Sequence, residues 1–190
     1  MVPLIIVVML IPINSVLSGV LAAIVFGLTA LTDMLDGKIA RKNNLVTDFG
    51  KFLDPLADKF MVITAMVVLT YKFCRPLEFG IIGEGDGTLA LMSLIATLLV
   101  IMRELAVTSI RLVASCSGVV VAADILGKIK TCTQIAFVEI ALLEPVLFDL
   151  LDKPNYHILT YVLMFLNVVA TVWSGVNYLK TYWKFLDPQK

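Results

Sequence analysis

From Val2 through Thr32 the chain carries no ionisable side chain, and from Asn155 through Leu179 it carries no Asp, Glu, Lys or Arg. Runs of that length are hard to accommodate in a small water-soluble domain. A soluble domain is roughly half apolar and about a quarter charged, whereas this 190-residue chain is 59% hydrophobic and 16% charged, with a mean hydropathy of +0.96. A helix needs about 20 mostly apolar residues to cross a bilayer core of roughly 30 Å. The composition therefore predicts an all-α, polytopic membrane protein.

Six transmembrane helices account for the pattern. The first uncharged run is too long for one crossing, and Pro12, Asn14, Ser15, Ser18 and Gly19 supply a turn within it. The first helix is then short, about 2–13, and the second runs from about Ser18 to Arg41. The third covers about Leu53 to Tyr71, followed by a loop rich in Gly, Glu and Asp from Cys74 to Thr88. The fourth covers about Leu89 to Val113, the fifth about Thr131 to Leu151, and the sixth about Tyr156 to Tyr182. At this length, residues 1–190 form one domain. Six crossings put both termini on one side. If that side is the cytoplasm, only Lys72, Arg75 and Lys153 of the fifteen Lys and Arg fall outside, as the positive-inside rule requires.

Other classes are disfavoured. The formal net charge is zero, so no nucleic-acid partner is expected. The N-terminus lacks a basic segment and a small-residue cleavage site, so no removable signal is expected. Cys74, Cys116 and Cys132 have no paired spacing and read as small apolar fillers. The lone histidine, His157, is placed at an outer helix end without a catalytic role. Glu139 falls in the middle of the fifth helix, where a buried acid is a functional candidate and a structural partner such as Gln134 or a dimer contact is an equal alternative.

The chemistry concentrates in DMLDGKIARKNNLVTDFGKFLDPLADK, residues 33–59. Asp33 and Asp36 share a helix face, as do Gly50, Asp54 and Asp58 at spacings of four. A short link lets the second and third helices run antiparallel, so the four carboxylates converge. Like charges at a membrane edge either keep their protons or gather cations. Carboxylates are hard ligands suited to Mg²⁺, Mn²⁺ or Ca²⁺, and the stretch holds no His or Cys for zinc. Four Asp match what two bridged divalent ions need to clamp a phosphoryl displacement. Gly37, Ala40 and Gly50 keep the nearby surface small, and Arg41 can fork onto phosphate oxygens. Each feature alone is ordinary, since an Asp pair usually marks a solvated helix end. Their coincidence within one short window is not.

Asp33, Asp36, Gly37, Ala40, Arg41, Gly50, Asp54 and Asp58 meet every spacing of D-x2-D-G-x2-A-R-x8-G-x3-D-x3-D. On these residues the chain closely resembles the CDP-alcohol phosphatidyltransferase family. The resemblance implies transfer of a phosphatidyl group from a CDP-linked lipid to an alcohol, with CMP leaving. It implies one metal held by Asp33, Asp36 and Asp54 and a second held by Asp33, Asp54 and Asp58, with Mg²⁺ or Mn²⁺ as the ions. Asp58 is then the general base, and Asp36, Gly37, Ala40, Arg41 and Gly50 line the CDP site. A homodimer in the membrane is also implied.

RELAVTSIRL (103–112) and LGKIKT (126–131) resemble the bacterial phosphatidylglycerophosphate synthase branch. That branch implies CDP-diacylglycerol and glycerol 3-phosphate as substrates, in a plasma membrane with the site facing the cytoplasm. Arg103, Arg111, Lys128 and Lys130 are candidates for the acceptor phosphate. Each also has an ordinary reading: anchors for Arg111, Lys128 and Lys130, and charge neutralisation for Arg103 with Glu104. Glu104, Thr108 and Arg111 share a face, which permits an intrahelical pair. The branch further implies an N-terminal amphipathic segment with Asn, Thr and Arg, which this sequence, opening on MVPLIIVVML, does not contain. Two alternatives stand beside this reading: another acceptor such as inositol phosphate or serine, and, more distantly, a cation or proton transporter.

Overall fold

The computed structural model describes residues 2–10, 15–42, 48–74, 87–116 and 125–182. Among these, six α-helices follow in order: α1 (Val2–Leu10), α2 (Ser15–Lys42), α3 (Asp48–Cys74), α4 (Gly87–Cys116), α5 (Ile125–Leu150) and α6 (Ile158–Tyr182). No strand occurs among the described residues. Segments Gly87–Arg111, Leu126–Leu150 and Ile158–Tyr182 are long and apolar enough to cross a membrane, and Val16–Thr32 is a shorter apolar stretch.

Two helix starts differ from expectation. α3 begins at Asp48 instead of near Leu53, so Pro55 lies beyond its first turn. α5 begins at Ile125 instead of near Thr131, taking LGKIK into the helix. A membrane helix tolerates that polar turn when its charges are matched, and Lys130 meets Glu104 of α4. Pro145 lies inside α5 and lacks the N–H that would bond four residues back, at Ala141.

Contacts between side chains fix the helix directions. Lys59 reaches Thr108 while Thr70 reaches Ser93 and Thr97, so α3 and α4 are antiparallel. Thr88 pairs with Tyr161, Arg103 with Ser174 and Arg111 with Tyr178, so α4 and α6 are parallel. α5 and α6 form an antiparallel hairpin across residues 151–157. The Glu144 carboxylate accepts from the Leu159 N–H (3.1 Å), the Thr160 N–H (2.8 Å) and the Thr160 hydroxyl (2.6 Å). A carboxylate there satisfies the open N–H groups at the start of α6 and suits its dipole.

On α2, Gly19 faces Leu142 and Val146 of α5, and Gly27 faces Glu139. This contact runs antiparallel through Gly19, Ala23 and Gly27, a small-residue stripe of the kind that lets membrane helices approach closely. Taken together, α2, α4 and α6 point one way and α3 and α5 the other. The C-terminal end of α2 and the N-terminal end of α3 therefore lie at the same end of the bundle.

The core sits where α1, α2, α3 and α5 meet, around Met9, Phe26, Met66, Leu69, Phe137 and Leu142. Elsewhere the partition inverts that of a soluble protein. Thr160, Asn167, Thr171 and Ser174 are buried on α6, while Phe165 and Trp173 of the same helix are 68% and 66% exposed. Hydroxyl contacts such as Thr70 to Ser93 (2.8 Å) join the helices inside. Apolar side chains facing outward cost nothing in lipid, so small polar residues and close packing hold such a bundle together.

Candidate active site

α2 ends with Asp33, Asp36, Gly37, Ala40 and Arg41, and α3 begins with Gly50, Asp54 and Asp58. The helix directions bring both groups to one end of the bundle. The side chains of these eight residues lie outside the described residues. α3 continues inward from them through Lys59, Val62 and Ile63.

At this end Glu104 of α4 is a hub. Its carboxylate is buried and takes Lys130 of α5, Arg103 (2.8 Å) and, more loosely, Lys59 of α3 (3.6 Å). Lys59 also donates to the Thr108 hydroxyl at 2.6 Å, and that hydroxyl donates to the Glu104 carbonyl at 2.7 Å. Three helices are thus tied through one acid. Three cations around one carboxylate leave the cluster with net positive charge and a surplus of hydrogen-bond donors.

A second basic group lies beside it. Arg103 donates to the Ser174 hydroxyl (2.5 Å) and Arg111 to the Tyr178 hydroxyl (2.5 Å). Both guanidinium groups lie over the Tyr178 ring, at 5.7 and 5.3 Å from its centre, and Tyr182 stacks on Tyr178. Aromatic faces hold arginine planes by cation–π attraction. Gly175 is in close contact with this assembly, since a Cβ there would lie 3.2 Å from Arg103 Cγ.

Of the expected acceptor cations, the structure gathers Arg103, Arg111 and Lys130 at one end, and Lys128 is exposed on the first turns of α5. Glu104 does not take the intrahelical route that its spacing to Arg111 permits. Its partners come from its neighbour in sequence and from two other helices, because the packing of α3 and α5 delivers Lys59 and Lys130 to it. Glu139 is half-buried against Gly27, and Gln134 does not serve it: among the described residues the buried Gln134 Nε2 has no hydrogen-bond partner. Cys74 and Cys132 are free and exposed, so they are not core fillers. His157 is at the start of α6, bonded to Asn155 through its backbone N–H (2.8 Å) and set edge-on to Phe73. Lys59 had no assigned role in the sequence; its signal was position, directly after Asp58 at the edge of an apolar run.

A helical bundle that buries polar residues, exposes apolar ones and gathers cations at one end defines a membrane protein with a polar site at the membrane edge. The chain belongs to the CDP-alcohol phosphatidyltransferase family, whose model matches residues 1–173, and it is an enzyme of that class. It is 41% identical, over 164 residues, to the CDP-diacylglycerol–glycerol-3-phosphate 3-phosphatidyltransferase of Bacillus subtilis (strain 168), covering 86% of this chain and 74% of the relative. The protein of the same name from Rickettsia bellii (strain RML369-C) is 33% identical over 178 residues, covering 91% and 84%. The cardiolipin synthase (CMP-forming) of Oryza sativa subsp. japonica is 34% identical over 171 residues, covering 85% of this chain and 48% of that protein.

Proposed function

We propose that this enzyme transfers the phosphatidyl group of CDP-diacylglycerol to glycerol 3-phosphate, giving phosphatidylglycerophosphate and CMP. The observation that carries this reading is the family match, which spans the complete eight-residue signature, from relatives that bear that activity in their names. The cation-rich cluster of Lys59, Arg103 and Lys130 supports a phosphorylated acceptor over an uncharged one.

The donor set fits divalent ions. Four carboxylates end α2 and begin α3 at one end of the bundle, and hard oxygen ligands suit Mg²⁺ or Mn²⁺. Asp33, Asp36, Asp54 and Asp58 would hold two such ions, which would supply charge neutralisation on the diphosphate. Gly37, Ala40, Arg41 and Gly50, with Asp36, would seat the CDP moiety, the small residues allowing close approach. Asp58 takes the proton from the acceptor hydroxyl. The hydroxyl oxygen forms a bond to the phosphatidyl phosphorus while the bond from that phosphorus to the bridging oxygen breaks, and CMP leaves with the bridging electron pair. Arg103, Arg111, Lys128 and Lys130 hold the acceptor phosphate.

In this reading α2 to α6 cross the membrane and α1, nine residues long, covers part of a sixth crossing, with the site on the cytoplasmic face of a bacterial plasma membrane. The lipid tails of the donor remain in the bilayer. The enzyme is a homodimer, and the exposed apolar flank of α6 is available to lipid or to a second copy.

The test is CMP release by purified protein with Mg²⁺ or Mn²⁺, CDP-diacylglycerol and a panel of acceptors. Release dependent on glycerol 3-phosphate is expected. Release only with inositol phosphate, serine or phosphatidylglycerol would reassign the acceptor. No release with any alcohol, together with cation flux in liposomes, would overturn the enzyme reading in favour of a transporter.

A further inference from the structure

Ser174, Tyr178 and Tyr182 follow one another at spacings of four on α6, so they form one stripe of that helix. Ser174 and Tyr178 are buried. The stripe receives both arginines of α4. Arg103 donates to the Ser174 hydroxyl and Arg111 to the Tyr178 hydroxyl, each at 2.5 Å. One ring serves both guanidinium groups, with Arg103 at 5.7 Å and Arg111 at 5.3 Å from the Tyr178 centre. Tyr182 stacks on that ring, with centres 5.7 Å apart, and keeps it from tilting away.

Two like charges over one ring are not at rest by themselves. Arg103 has the Glu104 carboxylate at 2.8 Å, but Glu104 is shared with Lys130 and Lys59. Arg111 pairs with no carboxylate among the described residues, and it commits a single N–H to the Tyr178 hydroxyl out of the five a guanidinium carries. A ring attracts a cation without neutralising it. The pair therefore keeps positive charge and spare donors, and both side chains are only partly buried. A phosphomonoester matches that demand, with about −1.5 to −2 charge at pH 7 and three acceptor oxygens. The location also fits. Thr108 lies one turn before Arg111 on the same face of α4 and accepts from Lys59, the residue after Asp58.

We infer that Tyr178 is a positioning residue for the acceptor phosphate. Its ring holds the Arg103 and Arg111 planes side by side, and its hydroxyl fixes the rotation of the Arg111 plane. The inference rests on the function proposed above and deepens it by naming a residue that acts through the arginines. At 3% exposure Tyr178 is covered by its neighbours and reaches the phosphate only through them. An unsupported arginine samples many rotamers that binding must freeze. A stacked one is set beforehand, so the affinity lost to ordering is smaller and the fork stays aligned for two oxygens at once.

The experiment measures kcat and KM for each substrate in Tyr178→Phe and Tyr178→Leu. The Phe variant keeps the ring and removes the hydroxyl; the Leu variant removes both. KM for glycerol 3-phosphate should rise about threefold in the first and about tenfold in the second, while KM for CDP-diacylglycerol stays within about twofold, because binding of one substrate alone is weakened. Tyr178→Phe serves if the Leu variant does not fold. In an Arg111→Ala background, Tyr178→Phe should raise KM for glycerol 3-phosphate no further, since the hydroxyl acts only through Arg111. An unchanged KM for glycerol 3-phosphate in Tyr178→Phe, a rise shared equally by both substrates, or an effect that multiplies with Arg111→Ala overturns the positioning role and leaves the proposed function intact. A wild-type enzyme that ignores glycerol 3-phosphate but uses another alcohol overturns both.

Discussion

Replacing Glu104 with Gln tests the electrostatic logic of the bundle most directly. The carboxylate side chain is 5% exposed, and its partners Lys130 and Arg103 are 7% and 10% exposed, so all three are nearly removed from solvent. Breaking a buried ion pair by removing one partner costs roughly 3–5 kcal/mol, because the remaining charge is left uncompensated. Lys59, at 28%, adds little, since a pair open to solvent is worth about 0–1 kcal/mol. Gln retains an oxygen that can accept one hydrogen bond, which puts Glu104→Gln near 3 kcal/mol on this scale. For a chain of this size 1 kcal/mol moves Tm by about 2–4 °C, so the expected fall is roughly 6–12 °C. Thermal unfolding in detergent, followed by circular dichroism, measures it. The double variant Glu104→Gln with Lys130→Met should recover a substantial part of the loss, because it removes the stranded cation. A single variant within about 2 °C of wild type, or a double variant whose loss is the sum of the singles, would refute the buried-hub argument.

Other expectations follow from named contacts. Asp58→Asn should lower kcat by about 10²–10⁴-fold, the usual contribution of a general base, with Tm held; an active variant would remove Asp58 from proton transfer. Chelating divalent ions should abolish CMP release and adding Mg²⁺ or Mn²⁺ should restore it; activity that persists in chelator would exclude the carboxylates as metal ligands. Glu144→Ala leaves two α6 amides and a hydroxyl unbonded and should cost about 1–3 kcal/mol by thermal unfolding. Gly19→Val pushes against Val146 and the Leu142 carbonyl and should cost about 1–3 kcal/mol. Gly27→Ala meets only the end of the Glu139 side chain, so its loss should be smaller.

The membrane character and the signature were legible because both are local. Uncharged runs report directly on the solvent a helix prefers, and the i, i+3 and i, i+4 spacings place Asp33 with Asp36 and Asp54 with Asp58 on shared faces. Helix starts were less legible. LGKIK reads as a connection until Lys130 has a carboxylate to meet, and only then does the helix extend through it. Lys59 showed only its position beside Asp58, and nothing local pointed to Glu104 and Thr108 as its partners.

The sequence by itself determined that the chain is a helical membrane protein and which eight residues form the family signature, since both depend on neighbours within a few residues. Only the tertiary structure decided that Glu104 pairs with Lys130 of α5 instead of Arg111 of its own helix. It likewise decided that Gln134 Nε2 is buried without a hydrogen-bond partner among the described residues, and that Gly19 and Gly27 let α2 approach α5. The reason is that the side chain a membrane-embedded polar group meets is set by the direction and register of separate helices, and spacing along one helix does not encode them.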